Sequence, residues 1–173
     1  MKPNAKDTQV INLKNKFFLS LILILAIFLV DRITKILMIN YSELNYLNVI
    51  YISSFLNLNL IWNEGIAFGL LSNNSDFYYN LISAMITVLI IFVFILSLKT
   101  RGIKNFAYLF IFSGGLGNLY DRIFYKRVPD FIDFHYENFH WFVFNVADIF
   151  ITIGVIFMII LELFDNNKKN IDE

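Results

Sequence analysis

The apolar run from residue 142 to residue 163 is the feature that most restricts the folds open to this chain. A helix of about 20 apolar residues crosses a lipid bilayer, so the run predicts a membrane-spanning helix. It also contains Asp148, which would lie roughly 9 Å from the first residue of the run at about 1.5 Å per residue. A carboxylate at that depth needs a partner or a wet cavity, which makes Asp148 a candidate functional residue.

Composition supports a membrane protein. Hydrophobic residues make up 58% of the chain and charged residues 16%, whereas a soluble domain has about 25% charged residues. We therefore expect an all-α integral membrane protein with a single domain, 1–173, and four transmembrane helices. The expected helices are about 17–39, 77–98, 105–123 and 142–163.

Two segments between these helices are predicted to lie outside the membrane. Residues 47–71 are rich in β-branched and aromatic residues interrupted by Asn and Gly, which predicts a small β-rich cradle at the extracytoplasmic surface. Residues 124–140 are polar and are predicted to form a loop over the site. Basic residues in the N-terminal segment, in 99–104 and at 168–169 place both termini in the cytoplasm by the positive-inside rule.

Polar residues are expected to converge in the outer half of the membrane. The apolar part of the third helix, 106–116, covers only about 16 Å of a core about 30 Å thick. This helix must therefore carry Asn118, Asp121 and Arg122, which share one face, into or near the outer leaflet. We expect Asp121 to form an ion pair with Arg122. The pattern indicates a half-membrane cavity that opens outward.

The first and fourth helices repeat this arrangement. Asp31 and Lys35 are four residues apart near the outward end of the first helix and are expected to form a structural pair. Asn145 and Asp148 are three residues apart where the fourth helix enters from outside.

The residues alone leave the partner of Asp148 open among Asp121, Asp130 and Asp133. Pro129 disfavours a helix around the last two. The extended segment is expected to place Asp130 and Asp133 on one side.

Several other kinds of site are excluded or disfavoured. The chain has no cysteine, which excludes a disulfide framework, a thiol nucleophile and a thiolate metal site. His135 and His140 lack the spacing of a helical zinc motif and lie among aromatic residues, so we expect surface or interface positions and no metal. The net charge is zero, which suggests no nucleic-acid partner.

Five short motifs resemble those of the lipoprotein signal peptidases (signal peptidase II), in the order of that family, over roughly residues 17–163. They are Asp31-Arg-Ile-Thr34-Lys35, Asn63-Glu-Gly65-Ile-Ala67-Phe68, Gly114-Gly-Leu-Gly117-Asn118-Leu-Tyr-Asp121-Arg122, Val128-Pro-Asp130-Phe131-Ile-Asp133 and Phe144-Asn145-Val-Ala147-Asp148. Pro129 stands where the family often has a β-branched residue, and Ile66 where it often has a small one.

The resemblance implies an aspartic endopeptidase that removes signal peptides from diacylglyceryl-modified prolipoproteins by cutting before the lipidated cysteine. It implies a multi-pass protein of the bacterial cytoplasmic (inner) membrane, in contact with lipid, with an extracytoplasmic active site and no cofactor. We expect a monomer. The resemblance assigns catalysis to Asp130 and Asp148. It assigns substrate-binding or site-supporting roles to Asn63, Asn118, Arg122 and Asn145, and structural roles to Asp31, Lys35 and Asp121.

The alternative is a small non-enzymatic membrane transporter or assembly factor. Asp31, Asp121 and Asp148 would then be ion sites. A transport path would need polar residues through the full depth of the membrane, and the second helix offers few beyond Ser83 and Thr87.

Overall fold

The computed structural model describes residues 5–46, 48–65 and 76–169. This part of the chain is mostly helical and carries a small antiparallel sheet. The elements in chain order are α1 (Ala5–Asn45), β1 (Val49–Ser53), β2 (Leu56–Asn63), α2 (Asp76–Lys99), α3 (Ile103–Tyr125), β3 (Val128–Tyr136), β4 (Phe139–Phe144) and α4 (Val146–Lys169).

Three helices in the described residues are long and apolar enough to cross a membrane. The spans are Lys16–Asn45 in α1, Tyr79–Lys99 in α2 and Val146–Phe164 in α4. Many of their large apolar side chains are exposed on the outside of the protein, as expected for helices whose solvent is lipid. The predicted fourth span corresponds to α3, which is more polar and does not belong to this set.

The helix α3 packs against each of the other three helices. Its glycines allow backbones to approach closely. A Cβ added at Gly114 would lie 2.4 Å from the backbone oxygen of Ala147, and one at Gly117 would lie 2.7 Å from Oδ2 of Asp31. The buried polar residues of α3 are therefore held directly against α1 and α4.

The four strands pair in the order β1-β2-β3-β4. In the β2–β3 pair, Ile61 lies opposite Asp130, and the register shifts between Leu58 and Ile61. Leu60 and Phe131 pack on Met38 of α1 to form a small apolar core. This core fixes β3, and with it Asp130, near the C-terminal end of α1.

The prediction of a loop over residues 124–140 is wrong, because most of this segment forms β3 and the beginning of β4. Pro129 lies near the start of β3, where its fixed φ suits an extended chain. The predicted cradle is present as β1 and β2, although residues 47 and 66–71 of it lie outside the described part.

Two helix boundaries also differ from the prediction. The fourth helix begins at Val146, not at 142, because Phe139–Phe144 is a strand. A short apolar run has no periodicity that separates a strand from a buried helix. Asp148 therefore lies in the first turn of α4 and not two turns inside it. The first helix extends over Ala5–Asn45, beyond the predicted 17–39, since no Gly or Pro interrupts it.

Candidate active site

Asn145 and Asp148 form a reciprocal cap at the start of α4. The backbone N–H of Asp148 donates to Oδ1 of Asn145 at 3.2 Å, and the backbone N–H of Asn145 donates to Oδ2 of Asp148 at 3.1 Å. This is the geometry of a capping box, in which a side chain three residues into the helix reaches back to the capping residue. The local sequence thus fixes the Asp148 carboxylate at the helix end.

Asp130 on β3 points toward the same cap. Its Oδ1 accepts a hydrogen bond from Nδ2 of Asn145 at 2.6 Å, and its Oδ2 accepts one from Nδ2 of Asn63 at 2.8 Å. Oδ1 of Asn63 in turn accepts from the backbone N–H of Gly65 at 2.8 Å, which orients the amide. Asn145 therefore contacts both carboxylates and joins β3 to α4.

Asn118 on α3 completes the polar network. Its Nδ2 donates to Oδ1 of Asp148 at 2.8 Å, while its Oδ1 accepts from Nδ2 of Asn145 at 3.1 Å and from Nζ of Lys35 at 2.9 Å. In the described part of the chain, the hydrogen bonds to the carboxylates of Asp130 and Asp148 come from amide groups, and no salt bridge reaches either of them.

The environment of Asp130 favours its protonated form. Its exposed fraction is 3%, and burial is the largest cause of a rise in the pKa of the carboxyl to about 6. The negative charge of Asp148 contributes to this rise in pKa, while hydrogen bonds from Asn63 and Asn145 oppose it. A proton can therefore reside on the pair at near-neutral pH.

A second group of buried charges lies next to the asparagines and is electrically balanced. We call Asp31, Arg32, Lys35 and Asp121 the balanced cluster. Lys35 Nζ lies 3.0 Å from Oδ1 of Asp31 and 2.7 Å from Oδ2 of Asp121. Arg32 bonds to both carboxylates as well. Oδ1 of Asp31 also accepts from the backbone N–H of Ala147 at 3.0 Å, so the cluster supports the start of α4.

The expected pair between Asp31 and Lys35 is confirmed, whereas the expected pair between Asp121 and Arg122 is not formed. The Arg122 guanidinium instead donates to the backbone oxygens of Gly65 at 2.7 Å and of Asn118 at 3.3 Å. Arg122 thus connects α3 to the segment that follows β2.

Sequence reasoning gave no role to Arg32, although Arg32 lies inside the first quoted motif. As the immediate neighbour of Asp31, it does not share a helix face with it. Its bonds to Asp121 cross 89 residues of sequence. Only its charge within an apolar run could have indicated a buried role.

Asp133 does not join the site. The expectation that Asp130 and Asp133 lie on one side is wrong, because side chains three residues apart in a strand point to opposite faces. The Asp133 carboxylate instead contacts Nδ1 of His140 at 2.9 Å.

A cavity of about 710 Å³ opens beside Asp148. Its wall consists mainly of apolar and aromatic side chains from β3, β4 and α4, including Phe134, Phe144 and Ile149. Such a cavity suits an extended apolar ligand with one polar group near the carboxylate.

Comparisons with known proteins agree with this geometry. The family model described as signal peptidase (SPase) II matches residues 23–164. A lipoprotein signal peptidase of Pelagibacter ubique is 53% identical over 92% of this chain and 95% of its own length. Another from Francisella tularensis subsp. novicida is 40% identical over 90% of this chain and 96% of its own length.

Solved structures show the same fold. A structure described as a bacterial membrane enzyme superposes with a TM-score of 0.67 at 27% identity, covering 87% of this chain and 90% of that one. A second structure with the same description has a TM-score of 0.63 at 29% identity, covering 83% of this chain and 92% of that one. The chain belongs to the signal peptidase II family.

Proposed function

We propose that this membrane peptidase removes signal peptides from diacylglyceryl-modified prolipoproteins, and that Asp130 and Asp148 are its catalytic pair. The observation that carries the proposal is the pair itself, two carboxylates joined through Asn145 and bonded to amides without a cation. The names of the relatives, lipoprotein signal peptidases, support the substrate class.

The chemistry follows from one proton shared by the pair. Two close carboxylates do not both ionise cheaply, so one is protonated when the other is charged. The ionised carboxylate takes a proton from water as the water oxygen bonds to the scissile carbonyl carbon. The protonated carboxyl gives its proton to the carbonyl oxygen. When the carbon–nitrogen bond breaks, the carboxyl that took the water proton gives it to the leaving amine. A hydroxyl proton of the tetrahedral intermediate returns to the other carboxylate, which restores the pair.

The asparagines hold the two carboxylates in a fixed position relative to each other. Asn145 touches both, Asn63 orients Asp130 and Asn118 orients Asp148. Amide donors suit this task because they orient a carboxylate without adding a positive charge that would suppress its protonation. Arg122 supports the site by holding the backbone at Gly65.

The cavity beside Asp148 is proposed to receive the signal peptide from the membrane. Its aromatic and aliphatic wall matches an apolar peptide segment, and Asp148 lies on that wall. The substrate cysteine would then lie near the outer surface, and its acyl chains could remain among the lipids.

The topology that suits this task has four crossings, with α3 as the fourth. The balanced cluster and the amides satisfy the polar side chains of α3 without water, as a helix in lipid requires. Both termini would then be cytoplasmic, and the sheet and the aspartates would lie on the extracytoplasmic side of the inner membrane. We propose that residues 1–173 form one domain, which acts as a lipid-embedded monomer.

The test is cleavage of a lipidated precursor by purified Asp130→Asn and Asp148→Asn variants in detergent micelles. Each change removes one proton-transfer group and keeps the side-chain size, so the cleavage rate should fall by about 100-fold or more. Insertion and unfolding temperature are measured on the same preparations.

The matched control is Asp133→Asn, since Asp133 is the other buried aspartate on the same strand as Asp130. Its rate should stay within about threefold of the parent, because its carboxylate faces His140 and not the pair. Near-normal cleavage by a folded Asp130→Asn or Asp148→Asn variant would contradict the assignment. Transport by proteoliposomes without peptidase activity would instead favour the transporter alternative.

A further inference from the structure

The hairpin of β3 and β4 carries three potential metal ligands away from the aspartate pair. They are Asp133 and His135 on β3 and His140 on β4. His135 lies opposite His140 in the strand register, and their rings stack with centroids 5.2 Å apart. One ligand atom from each of the three residues lies within 4.8 Å of the other two.

The hydrogen bonds of these side chains leave some of their oxygen and nitrogen atoms available to bind a metal ion. The Asp133 side chain is 2% exposed, and the hydrogen bonds to its carboxylate among the described residues come from Nδ1 of His140. Nδ1 of His135 is buried and has no hydrogen-bond partner in the described part of the chain. A buried polar atom without a partner destabilises the fold, and a metal ion bound there would supply the missing partner.

We propose that Asp133, His135 and His140 form a binding site for a divalent transition metal of the zinc type. Two imidazoles and one carboxylate, with water in the fourth position, are a ligand set that zinc accepts. Tetrahedral ligands at about 2.1 Å from the metal lie about 3.4 Å from one another. The two imidazole rings are stacked and must rotate so that a nitrogen of each points at the ion. The His140 side chain is 54% exposed and provides the route for the ion and for the water ligand.

The site would join the two strands that flank the aspartate pair. β3 carries Asp130, and β4 leads directly into Asn145 at the start of α4. A metal ion bound across the hairpin would therefore stabilise the segment that orients both carboxylates. The expected consequence is a rise in unfolding temperature with zinc concentration.

The test uses full-length protein without an affinity tag, stripped of metal with a chelator and then titrated with ZnCl₂ by calorimetry in detergent micelles. We expect one saturable site and a zinc-dependent rise in unfolding temperature, both lost in His135→Gln and His140→Gln. The matched control is Glu137→Gln, an exposed carboxylate in the turn of the same hairpin, which should bind zinc as the parent does. Mg²⁺ prefers oxygen ligands and should produce no shift.

A second readout uses Co²⁺, whose visible absorption reports its coordination. The parent should show the bands of a low-coordinate site, and His140→Gln should not. The unfolding temperature of each variant is measured without metal, so that lost binding by a variant that is still folded cannot be attributed to misfolding. Failure of the parent to bind zinc, or unchanged binding by the folded His140→Gln variant, would overturn the proposal.

Discussion

Two pairs of carboxylates lie close together in this protein and have opposite surroundings. Asp31 and Asp121 contact Arg32 and Lys35 directly, so the balanced cluster has two negative and two positive charges. Asp130 and Asp148 contact amide groups of Asn63, Asn118 and Asn145 and no cation in the described residues. The first pair is arranged to keep its charges, and the second is arranged to exchange a proton.

Because their surroundings differ, a substitution in the first pair should affect the stability of the protein, and one in the second pair should affect the reaction. Removing one member of a buried ion pair leaves an uncompensated charge, which costs about 3–5 kcal/mol. Neutralising a carboxylate that has no cation removes a desolvation cost instead, and should leave the fold intact while stopping proton transfer. Asn118 and Asn145 connect the two groups, because they bond to each other and Asn118 also accepts from Lys35.

The largest expected change in the free energy of unfolding comes from the substitution Lys35→Met. Lys35 is fully buried, and its loss leaves Asp31 and Asp121 with a single cation, Arg32. The free energy of unfolding, measured by SDS titration in micelles, should fall by about 3–5 kcal/mol. Lys99→Met is the control, since Lys99 is exposed at the end of α2 and should change stability by less than about 0.5 kcal/mol. Equal effects of the two changes would mean that the cluster has no structural role.

The next largest effect is expected from Asn145→Ser, which separates the two roles of Asn145, capping α4 and donating a hydrogen bond to Asp130. Asn145→Ser keeps a capping oxygen for α4 but removes the amide donor to Asp130. A hydrogen bond to a charged group contributes about 1.5–3 kcal/mol, so the cleavage rate should fall by about 10- to 100-fold. The unfolding temperature should fall by less than that of Asn145→Ala, because the serine keeps the capping oxygen.

Asn145→Ala is the matched comparison, because it removes the cap as well. It should lose about 1 kcal/mol of stability in addition to its loss of activity. If the serine variant cleaves the precursor at the parent's rate, the amide does not orient Asp130 in the way we propose.

A smaller effect should follow from Gly117→Ala. The new Cβ would lie 2.7 Å from Oδ2 of Asp31 and would push this carboxylate away from Arg32. Overpacking of this kind costs about 1–3 kcal/mol in the free energy of unfolding. Gly115→Ala is the control, since its Cβ would meet Cγ1 of Ile90 at 2.9 Å and would crowd an apolar contact without moving a charge. A larger loss for the second variant would contradict this explanation.

The helices and the candidate carboxylates could be predicted from the sequence, but many of the contacts between them could not. Helix periodicity brought Asn145 and Asp148 onto one face, and apolar runs indicated three spans that the structure contains. The end of β4 was missed because its aromatic run merges with that of α4. The contact of Asn63 with Asp130 crosses 67 residues, a separation over which helix and strand periodicity gives no information.

The smallest effect concerns the stability of the aspartate pair as pH changes. The pKa of Asp130 is raised from its ordinary 3.8 to about 6 by burial and by Asp148, so the folded state holds more protons than the unfolded state between these values. Parent stability should therefore fall as pH rises from about 4 to about 6 and remain lower above that. The Asp130→Asn variant has no carboxyl group at this position, so its stability should not show this fall between about pH 4 and about pH 6.

At pH 8, unfolding in micelles should show Asp130→Asn to be more stable than the parent by about 1 kcal/mol. The gain is smaller than the roughly 3 kcal/mol that the shift alone implies, because the new amide nitrogen cannot accept the hydrogen bond that one of the two asparagines donates. The same mismatch should make the variant less stable than the parent near pH 4.5, where the Asp130 carboxyl is protonated in the folded parent. A stability difference that does not change with pH would place Asp130 with the balanced charges and remove the contrast between the two pairs.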